Sequence, residues 1–188
     1  MSNVNYKMIL INNLQEKVSN SESELVVAFQ RILERGYFVL GPEVKEFENK
    51  YAHYLNAQFC IGVANGTDAI ELSLRSLGIN RQSIVATVAN AGYYTTTALS
   101  TIGAAPFYID VDPISHVITL QEVERALHQG IDALVLTHLF GRIPPEIVEI
   151  KKLCDKMGVP MIEDCAQAHG ASLLGKKAGT FGDVASFS

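Results

Sequence analysis

Val159-Pro160-Met161-Ile162-Glu163-Asp164-Cys165-Ala166-Gln167-Ala168-His169-Gly170 is the stretch on which the reading of this chain turns. The run over 159–162 is short, apolar and β-branched at both ends. Such a run, bounded by turn residues, predicts a strand buried on both faces. Two acids, Glu163 and Asp164, stand at its end, and a small-residue loop leads to Gly170. Upstream, residues 144–157 read as a helix with proline early in it, where the missing N–H costs little. Downstream, 171–174 and 184–187 read as two further strands.

The alternation continues toward the N-terminus. Residues 133–136 read as a strand, 120–127 as a helix, and 106–109 as a strand that ends at Asp110 and Asp112. Residues 95–102 read as a helix, 84–88 as a strand, 67–77 as a helix and 59–63 as a short apolar strand. Before these come two amphipathic helices, at 22–35 with Leu25, Val26, Phe29, Ile32 and Leu33 at helical spacing, and at 44–55 with Phe47, Tyr51 and Tyr54. Gly36 and Gly41-Pro42 punctuate them. Strand–helix alternation of this kind predicts an α/β fold with a mainly parallel sheet flanked by helices. The expected organisation is an N-terminal helical segment over 1–57 and an α/β domain over 58–188.

Composition narrows the function. The chain has 188 residues, 48% of them hydrophobic and 19% charged, with a formal charge of −5. A net acidic chain with no basic run is a poor partner for phosphate backbones, so no nucleic-acid role is expected. No apolar run is long enough to span a membrane. Residues 1–6 lack the charged-then-apolar order of a secretion signal. Cys60, Cys154 and Cys165 are odd in number and far apart, and no metal-ligand spacing links them, which suits the cytoplasm.

In parallel sheets ligands bind beyond the carboxyl ends of the strands. One such position is Ala64-Asn65-Gly66-Thr67-Asp68-Ala69, which runs straight into a helix. A helix N-terminus offers free N–H groups and favours phosphate; the same residues also suit an ordinary cap. Another is Glu163-Asp164. An acid there could hold Mg²⁺, but no G-x-x-x-x-G-K-[ST] loop is present, or bind a ribose, but no G-x-G-x-x-G precedes it. It could pair with a protonated pyridine nitrogen, or be a capping or ion-paired structural acid. The third position is Gly182-Asp183-Val184-Ala185-Ser186-Phe187-Ser188, where hydroxyls at a strand end could donate to a phosphate. The five histidines form no cluster in sequence and no metal is expected. His138, just after a strand, is the one to watch.

Taken together, these segments resemble the DegT/DnrJ/EryC1/StrS family of sugar aminotransferases. The matching pieces are Gly36-Tyr37-Phe38-Val39-Leu40-Gly41-Pro42-Glu43-Val44 with Phe47-Glu48, Gly62 to Ala69, Gly103-Ala104-Ala105-Pro106 with Asp110-Val111-Asp112, His138-Leu139-Phe140-Gly141, Ile162 to Gly170, and Gly182 to Ser188. They occur in family order. The resemblance implies a type I, aspartate aminotransferase-like large domain, a homodimer, and pyridoxal 5'-phosphate as cofactor. It implies phosphate contacts from Gly66, Thr67, Asp68 and Ser188, a pyridine-nitrogen partner in Asp164, and Gln167 beside the ring hydroxyl. The implied reaction moves an amino group, usually from glutamate, to a nucleotide-linked keto sugar, and Gly36 to Gly41 resembles members that aminate the 3-position.

Two departures accompany the resemblance. The family usually has proline and a stacking aromatic after the second strand; here Val88 and Gly92 stand there, and Tyr93, with Tyr94 beside it, is the expected substitute. The family's Schiff-base lysine follows the final serine by about five residues, and this sequence has its last residue at Ser188. The chain therefore resembles the first half of a member, truncated before that lysine and the small C-terminal domain, and is expected to be inactive alone. Two other readings stay open: a dehydratase on the same scaffold, with histidine in place of lysine, and a non-catalytic protein that keeps the ligand site.

Overall fold

The computed structural model describes residues 13–188. Two compact units result, one ending at Asn49 and the other running from Lys50 to Ser188. In the first, helix α1 spans Leu14–Arg35, eight residues earlier than the start expected at Glu22. The reason is a cap the apolar pattern does not register: the Asn13 side chain accepts the Glu16 N–H at 3.2 Å and closes the first turn. Gly36, at φ 63°, ends the helix in the left-handed conformation, which glycine takes without a Cβ penalty. Helix α2 spans Pro42–Leu55, and Arg35 pairs with Glu43 in its first turn at 2.6 Å.

The second unit is the α/β body. Its elements are α3 (Gly66–Ser76), β1 (Ile84–Val88), α4 (Tyr94–Ile102), β2 (Ala105–Ile109), α5 (Leu120–His128), β3 (Ala133–Thr137), α6 (Ile147–Met157), β4 (Met161–Asp164), β5 (Ser172–Leu173), β6 (Lys176–Lys177) and β7 (Val184–Ser186). Five strands form one sheet in the order β2-β1-β3-β4-β7, and every pair in it is parallel. The expected α/β fold with a mainly parallel sheet is therefore what the chain adopts.

Alternation along the strands sorts the core into two layers. Leu134, Leu136 and Met161 pack with α5 and α6 around Val123, Leu127, Ile147 and Ile150. Ala133, Val135 and Ile162 pack on the other face with Ile70 and Leu74 of α3 and Leu99 of α4. The same two-residue period sends Glu163 to the face of Met161 and Asp164 to the face of Ile162.

Three local expectations are corrected. Residues 59–63 form no strand; Phe59 and Ile61 are 75% and 77% exposed, so their alternation faces outward. The helix expected from Pro144 starts at Ile147, because Pro145 disfavours helical backbone at the residue before it. The strand expected over 171–174 shrinks to a two-residue rung, Ser172–Leu173, paired antiparallel with Lys176–Lys177. Leu174 and Gly175, at φ 51° and 76°, make the tight turn between them, as the twist of a two-residue hairpin requires.

Candidate functional site at the carboxyl edge of the sheet

Asp164 closes β4, the strand between β3 and β7. The register sets Thr137 of β3 directly beside it on one side and Ser186 of β7 on the other. The residue is 7% exposed. Oδ1 accepts the Ala166 N–H at 3.2 Å and Oδ2 accepts the Thr137 hydroxyl at 3.3 Å. Burial pushes the carboxyl above its ordinary value, against those two bonds and the nearby His138. Asp164 makes no salt bridge among the described residues. A buried carboxylate of this kind is stabilised by an incoming cation.

Glu163 faces the opposite layer and is wholly buried. Its Oε2 accepts from His138 Nε2 and the Gly179 N–H, each at 2.8 Å. Its Oε1 accepts the N–H groups of Phe181 and Gly182, each at 2.6 Å. Burial opposes its charge, but His138 and the backbone donors outweigh burial and hold the carboxyl below its ordinary value. Gly182 is needed for this approach: a Cβ there would meet the Met161 carbonyl oxygen at 2.6 Å.

His138, Glu163 and Cys165 bring one ligand atom each within 4.8 Å. The set does not suit a metal. Glu163 already receives four donors, and burial beside two acids pushes the Cys165 thiol up, away from the thiolate a metal requires. We read it as a knot that ties β3, β4 and the loop before β7 together.

The remaining predicted residues gather unevenly. A Cβ on Gly66 would meet Cβ of Ser188 at 2.8 Å and its Oγ at 3.1 Å, so the N-terminus of α3 and Ser188 are in direct contact. Two turns further along α3, the Ser73 hydroxyl meets that of Ser186 at 3.2 Å. Asp68 is occupied by the cap: its N–H donates to Asn65 Oδ1, and its Oδ2 accepts from Asn65 Nδ2, both at 3.0 Å. The Thr67 hydroxyl has no partner among the described residues. Gln167, three residues after Asp164, accepts the Phe140 N–H on Oε1 at 2.9 Å, and its NH₂ has no partner among the described residues. Phe140 itself sits in the left-handed region, at φ 55°.

Tyr93 stands apart, 82% exposed. The ring beside Gly92 is that of Tyr94: a Cβ on Gly92 would meet it at 2.5 Å. Thr137 and Ser73 were not singled out in the sequence. The signal for Thr137 was its place just before His138 at a strand end, but only the register puts it beside Asp164.

A profile of the DegT/DnrJ/EryC1/StrS aminotransferase family matches residues 19–188. The chain belongs to this family. It is 38% identical over 166 residues to the dTDP-3-amino-3,4,6-trideoxy-alpha-D-glucose transaminase of Micromonospora megalomicea subsp. nigra, covering 88% of this chain and 44% of that one. Among solved structures it superposes on a DegT DnrJ EryC1 StrS aminotransferase from Brucella abortus with a TM-score of 0.89 at 29% identity, covering 96% of this chain and 50% of that one. It also superposes on NtdA from Bacillus subtilis, solved with bound cofactor PMP, with a TM-score of 0.81 at 28% identity over 93% and 41% of the two chains. The family member spans about half the length of the curated relatives it matches. No helix among the described residues is long and apolar enough to cross a membrane.

Proposed function

We propose that the protein to which this chain contributes transfers an amino group, from glutamate, to a nucleotide-linked keto sugar with pyridoxal 5'-phosphate as cofactor. The observation that carries the reading is Asp164: a buried carboxylate at the carboxyl edge of a parallel sheet, paired in register with Ser186 of β7, two residues before the Ser188 that meets the N-terminus of α3. The names of the relatives favour amino transfer over dehydration or ligand binding without turnover.

The residues present fit the cofactor. Asp164 would hold the pyridine nitrogen protonated, because an opposite charge within hydrogen-bond reach favours the cation. When bound, the cofactor supplies an electron sink for the substrate's carbon. The open N–H groups of Gly66 and Thr67, with the hydroxyls of Thr67 and Ser188, would take the phosphate at the positive end of α3. We assign Asp68 to holding that turn through Asn65. Gln167 would present its NH₂ to the ring hydroxyl. Tyr94, lying over Gly92, is favoured over Tyr93 as the ring that meets the cofactor face. A homodimer and a cytoplasmic location complete the proposal.

The full-length protein should take up one cofactor and, with glutamate present, aminate some member of a panel of nucleotide-linked 3-keto and 4-keto sugars. A pure, folded protein that takes up no pyridoxal 5'-phosphate would overturn the reading.

A further inference from the structure

We propose that Thr137 is a positioning residue for Asp164: from the neighbouring strand its hydroxyl holds Oδ2, fixing the rotation of the carboxylate and favouring its charged form. This rests on the reading of Asp164 as the partner of a protonated ring nitrogen.

The geometry comes from the register. Thr137 and Asp164 are Cα partners across the parallel β3–β4 pair, and the pleat points both to the α3 layer. The Thr137 hydroxyl reaches Oδ2 at 3.3 Å, while the Ala166 N–H reaches Oδ1 at 3.2 Å. One donor on each oxygen stops the carboxylate turning about its Cβ–Cγ bond. Threonine is stiff at χ1, and the end of β3 is anchored by the His138 N–H, which donates to the Asp164 carbonyl oxygen at 3.0 Å.

The surroundings make that donor matter. His138 lies near enough to favour the Asp164 anion. Glu163 and the Cys165 thiol flank it in sequence, and β7 and α3 present Ser186 and Ser73, whose hydroxyls bond each other. Burial works against the charge, so a lost hydroxyl is not replaced by water. A donor to the ionised form lowers a carboxyl's pKa; without it, Asp164 takes up its proton at higher pH.

Thr137→Val keeps the shape and removes the donor, and Thr137→Ser restores a hydroxyl. In the full-length protein, pyridoxal 5'-phosphate affinity is measured from about pH 4 to about pH 8, spanning the carboxylate range. Wild type should bind more weakly as the pH falls and Asp164 is protonated. The valine variant should begin that fall roughly half a unit to one unit higher. On the falling limb its affinity should be ~3–10-fold below wild type, while at the alkaline end the two agree within about twofold. The serine variant should return toward wild type. A valine variant that tracks wild type at every pH, or is weaker by one factor throughout, overturns the inference. Asp164→Asn, run alongside, should lose the acid limb. If it keeps the limb, the reading of Asp164 itself fails; if it loses the limb and valine leaves the limb unmoved, only the role of Thr137 fails.

Discussion

Between Glu163 and Asp164 the pleat turns the side chain from one layer of the domain to the other, and the two acids meet opposite surroundings. Glu163 receives four donors; Asp164 receives two. Removing a partner from a buried, hydrogen-bonded charge costs more than the pair contributes net, because the other groups stay buried and unpaired. Glu163→Ala should therefore destabilise the domain by about 3–5 kcal/mol, read as a lower denaturant midpoint at neutral pH. Its folded pKa lies below the ordinary 4.5, so its contribution is present above that value and fades as the pH falls through the folded pKa. The gap between wild type and variant should narrow on acidification. A gap under about 1 kcal/mol at neutral pH would mean that the knot is not structural.

At the scale of elements, the N-terminus of α3 carries the second prediction. Gly66 occupies the first helical position, where alanine would by itself favour the helix by up to about 1 kcal/mol. The cost lies across the gap, at Ser188, whose Cβ is only 2.8 Å from where the new methyl would stand. Gly66→Ala should leave the melting temperature near wild type yet weaken cofactor binding by roughly tenfold or more. Unchanged affinity, by equilibrium titration, would remove this end of α3 from the phosphate site. The elements themselves differ in how far they were legible. Ile84–Val88 was readable residue for residue, a short run rich in β-branched residues and buried from Val85 on. Residues 59–63 carried the same apolar pattern and form no strand, because pairing depends on a neighbour that local sequence does not encode. The start of α1 depended on one side-chain cap, at Asn13, and the start of α6 on the second of two prolines. Within the candidate site, Asp164 was legible as an acid at a strand end and the Gly66 turn as a helix start, while Gln167 came only from the family resemblance. Thr137 was not legible, since it matters only through register.

For the whole molecule, the exposed apolar side chains speak for association. Leu25, Phe29, Leu33 and Phe38 in the first unit, and Phe59 and Ile61 in the second, are each more than half exposed. Apolar surface of this extent marks contact sites. Sedimentation of the chain at micromolar concentration should give at least the mass of two copies; a monodisperse monomer would count against the dimer. In the proposed reaction, the carboxylate at the end of β4 would set the protonation of the cofactor ring. A ring kept protonated acts mainly on the chemical step, because the interaction strengthens as negative charge develops in the transition state. The measurement is the single-turnover rate of amino transfer in the full-length protein, comparing Asp164→Asn with wild type, both saturated with pyridoxal 5'-phosphate. The asparagine variant should keep its cofactor and lose roughly 100-fold or more in rate, about 3 kcal/mol of transition-state stabilisation. A variant that turns over at close to the wild-type rate would contradict the account.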